Sequence, residues 1–306
     1  MLRDRFGRPL KSLRVSVTSR CNFRCVYCHN EGMPRSCSEL LSPHHYEVVG
    51  RACKALGIER VKLTGGEPLV REDVVDIVRV FSENVKEVSM TTNGFYLAEL
   101  SGKLAEAGLR RVCVSLPSTR RDVFRSVTGV DALEKVLNGI KEAYLYGLTP
   151  ITINTVVLKS FTIEDLERLL ELASRYEARL RLIELEPVGS GIDVFSRYHR
   201  SLNDIVERLE ARARRVYTRQ LHARPVYVLE NGVEVEIVAW FGNPRFCMFC
   251  DRVRLSPDGK LLPCIALRSS IDLFNCFKSN EGRVLDCVIA KFVEVNELRE
   301  PYYKYE

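Results

Sequence analysis

Short apolar runs alternate with amphipathic stretches over the first 185 positions of the chain. Six runs rich in β-branched and aliphatic residues predict β-strands. These strands are predicted at 13–18, 60–65, 87–93, 111–116, 151–157 and 179–185. The stretches between them follow the helix period and mostly end near glycine, as helices commonly do. The predicted helices include 42–56, 96–108, 131–147 and 162–176.

Alternating strands and helices predict a parallel sheet with right-handed crossovers. The pattern stops after six units, which disfavours a complete eight-unit barrel. We therefore expect an α/β fold built on a partial (β/α)6 TIM-type barrel. In such a fold the functional side chains lie at the carboxyl ends of the strands. Polar or glycine-rich segments follow all six predicted strands: 19–30, 65–68, 91–94, 115–118, Lys159 and 186–189.

The pattern changes after about residue 190. A helix at 202–213 precedes two hairpins, which turn at Asn231–Gly232 and Asp258–Gly259, and a last helix spans 283–295. We predict a smaller α+β region here, so that the chain divides into domains at 1–190 and 191–306. The basic segment 210–225 is interpreted as a solvated helix end and linker.

Composition and charge narrow the class of protein. The chain has 306 residues, 46% of them hydrophobic, which is enough to fill a globular core. No run of 18 apolar residues occurs, and the charged start lacks an apolar signal region. We expect a cytoplasmic protein with reduced thiols and no membrane partner. A formal charge of +6 favours an anionic ligand without requiring nucleic acid, and we expect no nucleic-acid partner.

Six of the eleven cysteines form two spaced groups. We call Cys21, Cys25 and Cys28 the first triplet, and Cys247, Cys250 and Cys264 the second triplet. The other five, interpreted as scattered thiols with Cys113 a small core residue, are Cys37, Cys53, Cys113, Cys276 and Cys287. This grouping favours metal binding over disulfides.

Three thiols are one short of a closed metal site. Structural zinc and a 4Fe–4S cluster both ordinarily take four ligands. A 4Fe–4S cluster held by three thiols keeps one iron open for a small chelating ligand. We favour this arrangement for both triplets. For the first triplet the alternatives are His29 as a fourth ligand or a structural zinc site. For the second the alternative is a closed zinc or four-cysteine site, with His222, Cys276 or Cys287 as the fourth ligand.

The first triplet, with Tyr27, resembles the signature of the radical S-adenosylmethionine (SAM) enzymes. The resemblance implies that the first cluster binds SAM at its open iron and breaks its carbon–sulfur bond to generate a radical. It also implies SAM contacts from Tyr27, from Gly66 and Glu67 in "GGEP", from Ser115, and from Glu186, where many members have methionine.

From about residue 4 to 299 the chain resembles the GTP 3′,8-cyclase family, which begins molybdenum cofactor biosynthesis. The segments that carry the resemblance include "VKLTGGEPLVRED" and "FCMFCDRVRLSPDGKLLPC". The resemblance implies that the second cluster binds guanine and that Arg14, Arg252 and Arg254 are catalytic. The implied GTP contacts are Arg14, Lys62, Thr91, Lys159, Arg181, Arg252, Val253 and Arg254.

The resemblance also implies an electron donor of the ferredoxin or flavodoxin type, and it leaves a homodimer open. The chain departs from the family at its end, "LREPYYKYE", where well-known members carry a Gly–Gly pair. Pro117, Glu186 and Lys62 also replace residues that are common there. Two other functions therefore stay open: a two-cluster radical SAM maturase acting on a peptide or tetrapyrrole, and a zinc-binding interaction module.

Overall fold

A computed structural model describes residues 1–33, 36–188, 191–267, 269–278 and 281–304. Its described strands form one twelve-stranded sheet in the order β12-β11-β10-β1-β2-β3-β4-β5-β6-β9-β8-β7. The strands are β1 Ser12–Ser16, β2 Arg60–Thr64, β3 Glu87–Thr92, β4 Arg111–Ser115, β5 Thr152–Val157, β6 Arg179–Glu184, β7 Ala213–Thr218, β8 Pro225–Leu229, β9 Glu234–Val238, β10 Arg252–Leu255, β11 Lys260–Leu262 and β12 Ile271–Asp272.

All six predicted strands are present, as β1 to β6, and neighbouring members pair in parallel. The sheet is open, which confirms the partial barrel. The described helices are α1 Pro43–Leu56, α2 Val74–Ser82, α3 Leu97–Glu106, α4 Arg121–Thr128, α5 Leu133–Leu145, α6 Ile163–Arg175, α7 Gly191–Tyr198, α8 Asn203–Arg212, α9 Pro244–Met248 and α10 Glu281–Glu297.

Helix α1 shows how local sequence sets an element's ends. Ser42 is the N-cap, Pro43 occupies the first turn, and the side chain of His45 completes a capping box. The helix ends at Gly57, whose φ of 72° lies in the left-handed region that glycine adopts without strain. Both ends of the helix are therefore fixed by residues that lie next to them in sequence.

The C-terminal region is not a separate layer. Both predicted hairpins form, with Gly232 and Gly259 at positive φ. However, β9 pairs in parallel with β6, and β10 pairs in parallel with β1. The barrel wall therefore gains a strand at each edge from residues beyond 190. The boundary predicted at residue 190 lies outside the described residues and stays a prediction.

Two other expectations need correction. The basic segment interpreted as a helix end and linker contains strand β7, which pairs antiparallel with β8. Cys276 and Cys287 form a disulfide, so the expectation of uniformly reduced thiols is wrong for these two. Their bond joins the segment before α10 to that helix. In the described part of the chain, no helix is both long and apolar enough to span a membrane.

Candidate active site

A cavity of about 380 Å³ opens at the carboxyl ends of the barrel strands. Its volume is within the range of small-molecule sites, which is about 300–1,000 Å³. All six cysteines of the two triplets line it: Cys21, Cys25, Cys28, Cys247, Cys250 and Cys264. Residues separated by more than 200 positions in sequence thus share one chamber because β10 pairs with β1.

The first triplet lies in the loop after β1, at the rim of the cavity. Cys21 and Cys28 are exposed and Cys25 is half-buried. The loop is tied to the end of α4 by backbone hydrogen bonds from Arg24 to Thr128 and from Val26 to Val127, both 2.9 Å. Burial and the neighbouring thiols raise the pKa of Cys25 to about 12. A cationic metal centre would reverse this shift, since thiolates are the ligand form.

The glycine-rich segment after β2 packs directly against the first-triplet loop. Gly66 N donates to Thr18 O at 2.7 Å, and a Cβ on Gly66 would lie 2.0 Å from Arg20 O. Only glycine fits there, so the segment holds the loop that carries Cys21. Among the described residues, no group of three or more His, Cys, Asp or Glu side chains is placed to hold a single metal ion.

Glu67 lines the cavity but uses its carboxylate internally. It accepts hydrogen bonds from Thr92 Oγ1 at 2.7 Å, Asn93 N at 2.6 Å and Leu69 N at 3.0 Å. Burial raises its pKa to about 7 in spite of these bonds. The structure therefore assigns Glu67 first to joining the β2 and β3 loops, with little acceptor capacity left for a cofactor.

Two buried arginines hold the loop of the second triplet. Arg8 Nη1 donates to Cys247 O at 2.9 Å, and Arg299 Nη2 donates to Cys250 O at 2.7 Å. Asp4 lies between these arginines, 2.8 Å from Arg8 Nε and 3.6 Å from Arg299 Nη1. Both chain ends thus brace this loop. Tyr303 N adds a contact of 3.5 Å to the sulfur of Cys247, which is itself buried.

Between the triplets, the cavity wall is cationic. Arg14 and Arg254 are neighbours across β1 and β10, and Glu31 lies between them. Its carboxylate accepts from Arg14 Nη2 at 2.5 Å, from Arg254 and from Thr64 Oγ1 at 3.0 Å. The two guanidinium groups hold the pKa of Glu31 well below its usual range, against the opposing effect of burial. The carboxylate therefore stays ionised and keeps two like charges side by side.

A second buried carboxylate serves the opposite wall. Glu236 on β9 lies 2.7 Å from Arg181 and 3.0 Å from both Arg219 and Arg224. The side chain of Arg252 on β10, by contrast, makes no hydrogen bond or ion pair within the described ranges. Burial lowers its pKa to about 10, still above neutrality. Arg252 is thus a charged donor available to an anionic ligand.

The structure brings most predicted ligand contacts together. The cavity lining includes Arg14, Tyr27, Lys62, Gly66, Glu67, Thr91, Ser115, Arg181, Glu186, Arg252 and Arg254. Burial raises the pKa of Glu186 to about 7. Thr91 and Ser115 lie at the ends of β3 and β4, as the strand map predicts.

Two predicted substrate contacts lie elsewhere. Lys159 is exposed, and its ammonium donates to Ser196 O at 3.0 Å, away from the cavity lining. Val253 is fully buried in the hydrophobic core, because alternation along β10 directs Arg252 and Arg254 to the other face. Val253 would therefore have to contact the substrate through its backbone, and Lys159 would first have to release Ser196.

The structure also places the proposed fourth ligands. His29 Nδ1 accepts from Glu31 N at 3.0 Å, so one ring nitrogen is used within its own loop. The disulfide removes Cys276 and Cys287 from the candidates for the second triplet. His222 stacks on Phe246 with ring centroids 3.9 Å apart, and its Nδ1 has no hydrogen-bond partner in the described structure.

Sequence reasoning missed several cavity residues. Glu31 and Glu236 bind cations from distant strands, and nothing in their local pattern marks them. His222 has a φ of 64°, an uncommon conformation for a non-glycine residue. Trp240 and Tyr302, stacked 5.8 Å apart, also line the cavity. The one signal in the sequence for any of these residues is the pair of adjacent tyrosines in "PYYKYE", the first of which is Tyr302.

Family comparisons agree with this geometry. A model described as the Radical SAM superfamily matches residues 15–173, and one described as Molybdenum Cofactor Synthesis C matches residues 178–305. A relative from Metallosphaera sedula is 40% identical over 99% of this chain and 96% of its own. One from Sulfurisphaera tokodaii is 42% identical over 99% and 97%. Both are named "Probable GTP 3′,8-cyclase".

Solved structures show the same fold at low identity. Streptococcus suis SuiB bound to S-adenosylmethionine superposes with a TM-score of 0.66 at 17% identity, over 91% of this chain and 65% of that one. Native anSMEcpe with bound AdoMet superposes with a TM-score of 0.58 at 17% identity, over 84% and 75%. At these identities the similarity concerns the fold alone.

Proposed function

The chain belongs to the radical SAM superfamily and, within it, to the GTP 3′,8-cyclase family, and on this basis we propose the reaction that it performs. The reaction converts GTP to (8S)-3′,8-cyclo-7,8-dihydroguanosine 5′-triphosphate. This is a lyase reaction and the first step of molybdenum cofactor biosynthesis. One observation carries the proposal: both thiol triplets open onto one cavity whose intervening wall is cationic.

Each triplet suits a 4Fe–4S cluster. The three thiols of each group face the same chamber. Cys276 and Cys287 are joined in a disulfide, so neither supplies a fourth thiolate ligand. Cys21, Cys25 and Cys28 would hold the first cluster, and Cys247, Cys250 and Cys264 the second. When bound, the clusters and SAM supply the reducing and radical chemistry of the reaction.

This chain's own residues bind and orient the two ligands. Ser115, Tyr27 and the backbone of Gly66 line the first-triplet side, where SAM would bind. Glu186 lines the same chamber. The buried loop contacts of Gly66 and Glu67 fix this side before any ligand arrives, so the ligand does not have to order it.

The cationic wall suits a triphosphate. Arg252 is free to form planar paired hydrogen bonds with phosphate oxygens, while Arg14 and Arg254 are held beside it by Glu31. The wall continues along β2, β3 and β6 with Lys62, Thr91 and Arg181. With the triphosphate bound to this wall, the guanine would extend toward the second triplet.

The cellular setting follows from the substrates. We propose that the enzyme works in the cytoplasm, where GTP and SAM are made, and receives electrons from a ferredoxin- or flavodoxin-type protein. The exposed thiols Cys21 and Cys28 suit electron arrival at the first triplet. A homodimer remains a hypothesis that the size of the purified protein in solution tests.

The direct test is anaerobic turnover. Reconstituted protein with dithionite, SAM and GTP is expected to form 5′-deoxyadenosine and a 3′,8-cyclised nucleotide in comparable amounts. ATP serves as the control substrate, because its purine lacks guanine's O6 and N1–H edge. GTP binding without a cyclised product would overturn the proposal, and equal cyclisation of ATP would overturn the assigned substrate.

A further inference from the structure

A lysine, a cysteine and an arginine from three strands meet in the cavity wall. Lys62 Nζ on β2 donates to Cys113 Sγ on β4 at 3.0 Å. Arg181 Nη1 on β6 lies 4.0 Å from the same sulfur. Lys62 and Arg181 line the cavity, and Cys113 lies fully buried behind them. The thiol is thus the hydrogen-bond acceptor of a lysine that lines the cavity.

The other charges around this cluster are nearly all positive. Arg111 on β4 and Arg14 on β1 also act on it electrostatically. The carboxylates that meet these cations are already engaged: Glu236 on β9 is shared by Arg181, Arg219 and Arg224, and Glu87 on β3 pairs with Arg111 at 2.6 Å. Lys62 forms no ion pair with a carboxylate in the described ranges. Among the described residues, Cys113 is therefore the one group in contact with Lys62 that can carry a compensating negative charge.

The ionisation of the pair follows from this setting. Burial lowers the pKa of Lys62 to about 8. Although burial opposes it, the cations of Lys62 and Arg181 lower the pKa of Cys113 to about 6. Cys53 is equally buried, and there burial alone raises the thiol pKa far above the ordinary value. Near neutral pH the cluster therefore holds a thiolate and an ammonium.

We propose that Cys113 is a positioning residue whose thiolate keeps Lys62 protonated and directed at the cavity wall, ready for the triphosphate of the substrate. The inference rests on the proposed function, because GTP supplies the anion that Lys62 meets. It assigns a role to a cysteine outside both triplets. It also accounts for how a lysine stays charged among arginines in a partly buried wall.

The proposal fixes the sign of a pH effect. Lys62 binds phosphate well only when it is protonated, hence below its pKa. Replacing Cys113 by serine removes the negative charge and leaves Lys62 facing Arg181, Arg111 and Arg14. The pKa of Lys62 then falls below its present value of about 8. GTP affinity should therefore be lost at a lower pH in the variant than in the wild type.

Equilibrium dialysis of labelled GTP against the anaerobic two-cluster protein, without SAM, measures this directly. We expect Cys113→Ser to match the wild type near about pH 6, to bind about fivefold more weakly near about pH 8 and about tenfold more weakly near about pH 9, as a shift of about one pKa unit in Lys62 requires. The double variant Lys62→Arg/Cys113→Ser should recover affinity at the higher pH, since guanidinium stays charged. Cys53→Ser is the matched control and should follow the wild type.

The outcomes separate the two proposals. If the wild type binds GTP and Cys113→Ser follows it at every pH, or is weaker by one constant factor, this inference is overturned and the proposed function stands. If the wild type binds no GTP, the proposed function fails as well. If Cys113→Ser loses iron, the single variant Lys62→Arg is the deciding test. The wild type should lose GTP affinity above about pH 8, and Lys62→Arg should not. If Lys62→Arg loses GTP affinity over the same pH range as the wild type, the inference is overturned.

Discussion

The two thiol triplets share a cavity but have contrasting surroundings. The first lies on a rim loop with two exposed thiols, and it is held by backbone hydrogen bonds to α4 and to the segment after β2. The second is held by two buried arginines from opposite ends of the chain, with Cys247 buried. Under the proposed function, the first centre receives electrons from another protein, which exposure favours. The second centre would bind the substrate, which enclosure favours because electrostatic contacts are stronger there.

The largest expected effect comes from removing the first triplet. Replacing Cys21, Cys25 and Cys28 by alanine should abolish both 5′-deoxyadenosine formation and cyclisation, and should halve the bound iron. The second cluster should remain, because its loop is braced independently. Iron analysis with anaerobic product assays checks this. Loss of all the iron would show that the second cluster cannot be held without the first.

Removing the second triplet should separate the two activities. Replacing Cys247, Cys250 and Cys264 by alanine should again halve the iron and abolish cyclisation. Slow SAM cleavage should persist, since the first loop is intact. The measurement is the ratio of 5′-deoxyadenosine to cyclised nucleotide. Retained cyclisation would refute the role of the second triplet.

Glu31→Gln tests the wall between the triplets. Two partly buried arginines would lose their shared anion, which is expected to cost about 3–5 kcal/mol of unfolding free energy at neutral pH. The pKa of Glu31 is lowered in the folded protein, so its stabilisation is present above the ordinary glutamate pKa of about 4.5 and is lost as pH falls below that value.

Urea unfolding followed by the fluorescence of Trp240, the single tryptophan, measures the difference from the wild type. The difference in unfolding free energy between Glu31→Gln and the wild type should become smaller as the pH is lowered. Glu300→Gln is the control, because its carboxylate pairs at the surface with Arg5 and Lys304. A difference in unfolding free energy that does not change with pH would contradict the ionised state assigned to Glu31.

Arg299→Lys should have the smallest effect. Lysine keeps the positive charge near Asp4 but cannot reach Cys250 O and the backbone of Arg8 and Pro9 together. We expect a loss of about 1–3 kcal/mol in stability and a preferential loss of iron from the second triplet. Arg5→Lys, at an exposed ion pair, is the control. Equal loss of iron from both triplets would argue against a local bracing role.

Local patterns predict the barrel strands well, because strand and helix periods are carried by neighbouring residues. The cysteine spacing likewise predicts both triplets. The sequence does not reveal that β10 pairs with β1, since Arg14 and Arg254 come from opposite ends of the chain and their pairing depends on the whole fold. For the same reason the local pattern gives no sign of Glu31 or of the contact between Lys159 and Ser196, and it indicates only a core role for Cys113.

The parallel pairing of β1 with β10 has a practical consequence for dividing this protein. A fragment that stops before the C-terminal region would leave the backbone of β1 unpaired along its outer edge, and exposed edges of this kind recruit other chains. The family match to residues 15–173 thus does not mark a piece that would remain monomeric by itself. Supplying the missing half in trans should cap that edge and suppress aggregation.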